Sequence, residues 1–326
     1  MRGTQQPRSL CAIRAFGACG RIFIPRAGAG GFRIGPRRAP IAVRSPSGSP
    51  WLRSLEVAEN VVVFRLRRPN SGPIRAALLA DTHVGLDPLA AFDSGHQPFA
   101  NATVAASQAQ ESEPEIVCFL GDLAWGSGED GDYGRWQQVF HPLMAARPAV
   151  MLPGNHDRRD RMLRRFAPDA PVAAERMVSV VETPQLRLIG LDSLFRTDVV
   201  PGLLGESQRR WLGEFLDTHD QRPTVIMVHH HLGDDDQALL DGDRLLALLQ
   251  VRPQVKAVIS GHQHVFRCDT AGRLHLLALP AIGMPFHPDE RLGWLESSLD
   301  ERGATLRFRG VAGAEDGAEQ RLTWRP

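Results

Sequence analysis

Five short apolar runs in this chain each stop at side chains able to bind a metal ion. Ile74–Ala80 runs into Asp81-Thr82-His83, and Ile116–Leu120 into Gly121-Asp122. Ala149–Leu152 runs into Pro153-Gly154-Asn155-His156-Asp157. Pro223–Val228 runs into His229-His230-His231, and Val255–Ser260 into Gly261-His262-Gln263-His264. Runs this short and this apolar read as strands buried on both faces. Any one of these polar ends is adequately explained as a turn or helix cap. Five are not, because a cap does not require an oxygen or nitrogen donor at every strand end. Open α/β sheets build their sites beyond the carboxyl ends of their strands. Side chains at i and i+2 of an extended segment share a face. Asp81 with His83, and His262 with His264, are therefore expected to converge.

The donor set is carboxylate, amide oxygen and imidazole, with no thiolate. It suits manganese, iron or zinc better than copper(I) or an iron–sulfur cluster. A carboxylate with two oxygens can serve two ions at once. Paired ions about 3.5–4 Å apart stabilise both the attacking and the leaving oxygen of an in-line displacement.

Taken in order, Asp81-x-His83, Gly121-Asp122, Gly154-Asn155-His156-Asp157, His229-His230 and Gly261-His262-x-His264 resemble the calcineurin-like metallophosphoesterases. The resemblance covers about residues 74–310. It implies an α/β fold, an αββα sandwich of two mixed sheets flanked by helices, around a dinuclear centre. Carried over by position, it implies one ion held by Asp81, His83, Asp122 and His264. The second would be held by Asp122, Asn155, His229 and His262, with Asp122 bridging. His156 is then the catalytic acid at the leaving oxygen, a metal-activated hydroxide is the nucleophile, and Asp157 supports the site from behind. Within the superfamily the chain is most similar to the bacterial cyclic-AMP phosphodiesterase-like (class III) branch. That branch shares the triple histidine, Leu191-Asp192-Ser193 and the stretch leading to Trp211-Leu212. Purple acid phosphatases carry a ligating tyrosine where this chain has Trp125, and lipid A pathway hydrolases carry arginine in place of His156. One departure is Leu232-Gly233, where relatives commonly have proline after the histidines. The implied substrate is a small phosphodiester of the cyclic-nucleotide type. A phosphomonoesterase or a nuclease of the same fold is the alternative, and a non-catalytic scaffold a further one. The resemblance leaves the oligomeric state open.

Charge and cysteine usage narrow this further. Residues 1–55 hold ten arginines and no acidic residue, which leaves the rest of the chain at −9 within an overall +1. A folded body of that sign is expected to make a poor nucleic-acid surface. No apolar run approaches the ~20 residues of a membrane span. The four cysteines, Cys11, Cys19, Cys118 and Cys268, form no CxxC pair. They are expected to be free thiols in a reducing, cytoplasmic compartment.

The organisation expected is a basic, disordered leader over 1–55, a metallophosphoesterase domain over 56–312 and a fraying tail over 313–326. Strands are also expected at Val57–Arg65, Val178–Val181 and Leu186–Leu191. Hairpins are expected over Val265–Leu279 and Gly293–Arg309. Helices are expected within 84–112 and at Tyr133–Ala146, Gly205–Thr218 and Arg244–Leu249.

Overall fold

The structure is a computed structural model and describes residues 41–43, 51–58, 60–170 and 174–326. The described elements in chain order are β1 (Ile41–Val43), β2 (Leu52–Ala58), β3 (Val61–Arg67), β4 (Ile74–Leu79), α1 (Pro98–Glu111), β5 (Ile116–Leu120), α2 (Asp130–Ala146), β6 (Ala149–Leu152), α3 (Arg159–Phe166), β7 (Arg176–Glu182) and β8 (Arg187–Leu191). They continue with α4 (Glu206–Thr218), β9 (Thr224–Val228), α5 (Gly242–Gln250), β10 (Val255–Ser260), β11 (Arg267–Ala271), β12 (Leu274–Ala278), β13 (Gly293–Leu299), β14 (Gly303–Gly310) and β15 (Glu319–Thr323).

The strands form two mixed sheets. One has nine strands in the order β1-β2-β3-β7-β8-β9-β10-β12-β11, and the other six in the order β15-β14-β13-β4-β5-β6. Alternation along the strands explains how the sheets stack. On β4, Ala76 and Leu78 face the other sheet, with Met227 of β9 and Ile259 of β10 in the same cluster. Their neighbours Ala77 and Leu79 belong instead to the cluster under α1, α2 and α3. On β9, Ile226 and Val228 pack under α4 and α5. Both faces of these central strands are thus largely covered, which is why they read as apolar runs interrupted only by Arg75 in β4 and Lys256 in β10 before the polar strand ends. α1 lies close to its sheet because its inner stripe, Ala102, Ala105, Ala106 and Ala109, is all alanine. That spacing keeps one helical face small, and alanine favours the helix itself. The expected αββα sandwich is therefore the fold.

Three boundaries differ from expectation. The stretch Val57–Arg65, expected as one strand, is split into the hairpin β2–β3, with Ala58 opposite Val61. β2 also crosses residue 55, where the leader is expected to end. Trp51, just before it, is 2% exposed and packs between the sheets. The rest of the expected leader, apart from β1, lies outside the described residues. The tail expected to fray from 313 forms β15, which pairs with β14 from Glu319 to Thr323. Trp324 anchors it by burial and by donating its indole N–H to the Asp300 carbonyl at 2.9 Å. Exposed Glu319, Gln320 and Arg321 give this edge strand its polar, tail-like sequence.

Candidate metal centre

β4, β5 and β6 run parallel in one sheet, and β9 and β10 run parallel in the other. The carboxyl ends of all five meet at one place, and backbone hydrogen bonds tie them together. Asp81 N–H donates to the Gly121 carbonyl (3.1 Å), His83 N–H to Asp122 (3.0 Å) and Gly261 N–H to His229 (3.0 Å). Asp81, His83, Asp122, Asn155, His229, His262 and His264 are all buried there, and His156 is half-buried at the rim.

The convergence of Asp81 with His83, and of His262 with His264, is as expected, but its cause is not the extended i, i+2 geometry. β4 has ended at Leu79 and β10 at Ser260. Asp81 (φ 52°), His83 (φ 45°), Asp122 (φ 49°), His262 (φ 68°) and His264 (φ 57°) are all left-handed. A non-glycine residue there costs roughly 1–3 kcal/mol. The chain thus coils back at each strand end, and the coil turns the side chains inward. Two glycines make room for them. A Cβ on Gly121 would meet His229 Nδ1 at 2.4 Å, and one on Gly154 would meet Asp122 Oδ1 at 2.2 Å.

The side chains form overlapping groups. Asp81, His83 and His264 bring their donor atoms within 4.8 Å of one another, as do Asp81, Asp122 and His229. His83 Nε2 lies 3.4 Å from His264 Nε2 and 3.8 Å from Asp122 Oδ2. His229 Nε2 lies 3.2 Å from Asn155 Oδ1 and 3.4 Å from the same Asp122 Oδ2. The other Asp122 oxygen, Oδ1, accepts the His156 backbone N–H at 2.8 Å. His262 donates its backbone N–H to both oxygens of Asp81, at 3.2 and 3.0 Å. His229 donates Nδ1–H to the Leu120 carbonyl at 2.7 Å, which turns Nε2 towards Asn155 and the carboxylates.

These residues fit a metal ion. Buried polar atoms are normally hydrogen-bonded, yet His83 Nδ1, His262 Nε2 and His264 Nδ1 have no partner among the described residues. Burial pushes His83 down to about 4 and His262 down to about 3, so both rings are neutral and carry a lone pair. Burial opposes charge on His229 as well, but Asp122 and Asp81 outweigh it and push it up to about 9. Two buried carboxylates thus draw a positive charge into the site, and a cation satisfies the same demand.

His230 lies with His229 and His262 but is already committed. Its Nδ1 meets Ser193 Oγ at 2.7 Å and its Nε2 meets the Val200 carbonyl at 3.0 Å. Both nitrogens are occupied, so it holds the 193–200 loop. His231 turns away and pairs with Asp235 at 2.8 Å. His156 Nδ1 donates to the Gly126 carbonyl at 2.9 Å, and its ring packs edge-on to His83 with centroids 5.1 Å apart. Asp157 is buried behind the turn. It accepts N–H groups from Gly154 (2.9 Å), Leu123 (3.2 Å) and Ala124 (3.3 Å) and the hydroxyl of Tyr133 (3.1 Å). Burial, reinforced by Asp122, pushes its carboxyl up to about 6. The roles of Tyr133 and Gly126 were not visible in the sequence, because neither lies at a strand end, and Ser193, which follows β8, stood out only as part of a shared segment and not as the partner of His230.

The family model for calcineurin-like phosphoesterases matches residues 74–266, which is more than half the chain. The chain belongs to that family. It is thereby a hydrolase acting on phosphoester bonds. A probable cyclic nucleotide phosphodiesterase of Synechococcus sp. is 29% identical over 235 residues, 70% of this chain and 88% of the relative. The 3',5'-cyclic adenosine monophosphate phosphodiesterase CpdA of Haemophilus influenzae is 28% identical over 261 residues, 76% of this chain and 92% of the relative. In fold, the chain is similar to a dimetal phosphatase from Danio rerio. The TM-score is 0.62 at 17% identity, covering 78% of this chain and all of that one. Among the described residues, no helix of this family member is long and apolar enough to cross a membrane.

Proposed function

We propose that the protein is a dinuclear-metal phosphodiesterase acting on a small phosphodiester of the cyclic-nucleotide type. The observation that carries the dinuclear reading is Asp122. Its Oδ1 is held by the His156 backbone, while its Oδ2 faces His83 on one side and His229 on the other. One ion would be held by Asp81, His83, Asp122 and His264, and the other by Asp122, Asn155, His229 and His262. Manganese, iron and zinc all suit these donors. Such ions supply Lewis-acid stabilisation of the phosphoryl oxygens and an activated water. The chain's own part is to orient and to move protons. His156 is fixed through Nδ1–H, and the general acid would be its Nε2–H, which would give its proton to the leaving oxygen. Asp157 and Tyr133 hold the turn that carries His156 and Asn155. The cyclic-nucleotide class rests on the Synechococcus and Haemophilus relatives, which cover most of their own length with this chain. The free thiols of Cys118 and Cys268 support a reducing, cytoplasmic setting.

The test is hydrolysis of cyclic AMP, bis-p-nitrophenyl phosphate and p-nitrophenyl phosphate with manganese present and metal content measured. Two variants separate the roles. Asp122→Asn is expected to lower bound metal towards zero. His156→Ala is expected to keep both ions and to lower kcat by about 10²–10⁴-fold. Equal metal loss in the two variants would refute the division of roles. No hydrolysis of any substrate by the metal-loaded protein would refute the activity.

A further inference from the structure

Phe286 is the only phenylalanine, tyrosine or tryptophan among the exposed large apolar side chains of the described residues, at 47% exposed. It lies flat on His264, with ring centroids 3.9 Å apart and planes 8° from parallel. An arc of rings continues from there. His264 is followed by His83 at 5.3 Å, His83 by Phe92 at 6.2 Å, and Phe92 is stacked on Trp125 at 4.1 Å and 14°. Phe92 and Trp125 are only partly buried. Aromatic side chains thus stand at both ends of the His83–His264 pair.

The loop bearing Phe286 is fixed to the site. Gly283 N–H donates to the Asp81 carbonyl at 2.8 Å, and Asn101 Nδ2 donates to the Gly283 carbonyl at 3.1 Å. The Glu290 carboxylate accepts the backbone N–H groups of Phe286 (2.8 Å) and His287 (3.0 Å). At the other end, Trp125 N–H donates to the Val84 carbonyl at 3.1 Å. Leaving a large ring half in water costs hydrophobic free energy. Shielding His264 alone does not require a phenylalanine whose surface is nearly half in solvent.

We propose that Phe286 forms a stacking surface for a nucleobase carried by the phosphodiester, with the Phe92–Trp125 stack bounding the opposite end of the site. The inference rests on the phosphodiesterase reading above and names the residues that set its substrate preference. One side of the substrate is then a planar base held by stacking, which tolerates any base because every base has a π-face. A diester of glycerol offers no such face and gains nothing from these rings.

The experiment uses the full chain loaded with manganese. It measures kcat/KM for cyclic AMP and for glycerophosphoethanolamine, and Kd for AMP and glycerol 3-phosphate by calorimetry. In Phe286→Ala both preference ratios, nucleotide over glycerol compound, are expected to fall about tenfold, ~1.4 kcal/mol. Phe286→Tyr is expected to restore them. Unchanged ratios in Phe286→Ala would overturn the proposal. So would an equal loss on both compounds with loss of metal, which would make Phe286 a shield for His264. Should neither diester be hydrolysed by the wild type, the phosphodiesterase reading fails by itself, and the ratio of the two Kd values still decides the role of Phe286.

Discussion

Gly154→Ala is the sharpest probe of how the site is built. The added methyl carbon would sit 2.2 Å from Asp122 Oδ1, 2.5 Å from the Asp122 backbone nitrogen and 2.8 Å from its carboxyl carbon. Ordinary contact begins near 3.4 Å, so about 1.2 Å must be recovered by movement. Backbone nitrogen cannot swing aside as the tip of a long side chain does. Asp122 must therefore shift, and with it Oδ2, the oxygen that faces both His83 and His229. Overpacking of this kind costs about 1–3 kcal/mol, and a misplacement near 1 Å costs about 100-fold in rate. The expected result is loss of bound metal from both positions, a fall in kcat/KM of about 100-fold and a lower Tm. Gly134→Ala is the matched control. Gly134 lies inside α2, and its added methyl would meet only the end of the Arg165 side chain at 3.9 Å. The same substitution there is expected to stabilise the protein by about 0.5–1 kcal/mol. Metal analysis by mass spectrometry, thermal unfolding and turnover of bis-p-nitrophenyl phosphate read all three quantities. A Gly154→Ala protein with two full metal equivalents and normal turnover would refute the close approach on which the site depends.

Three further outcomes are expected. Glu182→Gln leaves buried Arg187 with Asp220 alone, since the pair at 3.3 Å is lost while that at 3.1 Å remains; a loss of about 3 kcal/mol in denaturant unfolding at pH 7 is expected. Burial opposes ionisation of Glu182, but Arg187, Arg65 and Arg67 outweigh it and hold its carboxyl below the ordinary value. Its contribution is thus present above the unfolded value and lost as pH falls through the folded one, so wild type and variant should converge in acid, and a difference that grows in acid would contradict this. Removal of residues 1–55 takes Trp51 from between the sheets and leaves β3 with only the last three residues of β2, so a loss of at least about 3 kcal/mol is expected, checked by thermal unfolding; an unchanged Tm would show that β2 contributes nothing. Cys118 is buried and its thiol is pushed up to about 12, so iodoacetamide should modify exposed Cys268 in the native protein and Cys118 only after denaturation, as read by peptide mass spectrometry.

What the sequence revealed, and what it hid, follows from where each signal resides. β5 was legible to the residue because it is buried throughout, so every position is apolar, and β6 and β10 were legible because their apolar runs are interrupted only at partly buried Lys256 and at the terminal Ser260. β2 and β15 were not, because each is held mainly by pairing with a neighbour. Exposed Leu52, Glu319 and Gln320 carry no alternation that marks a strand. The site's chemistry was legible in the strand ends, but its geometry was not. Asp81 and His83 meet because both are left-handed, and so do His262 and His264. Nothing in the identity of an aspartate or a histidine announces that conformation. Residue type alone does not separate His229 from His230; the family resemblance singles out His229, and the partners give the reason, since Ser193 and Val200 occupy both nitrogens of His230. Five left-handed residues at roughly 1–3 kcal/mol each, together with buried carboxylates and unpaired ring nitrogens, form an arrangement that packing alone would not favour. The two sheets hold these residues in place from both sides, and the positive charge of a metal ion held there would offset what the fold gives up to keep them. The strain and the donor set are therefore two views of one site, and only the donor set is written in the residue types.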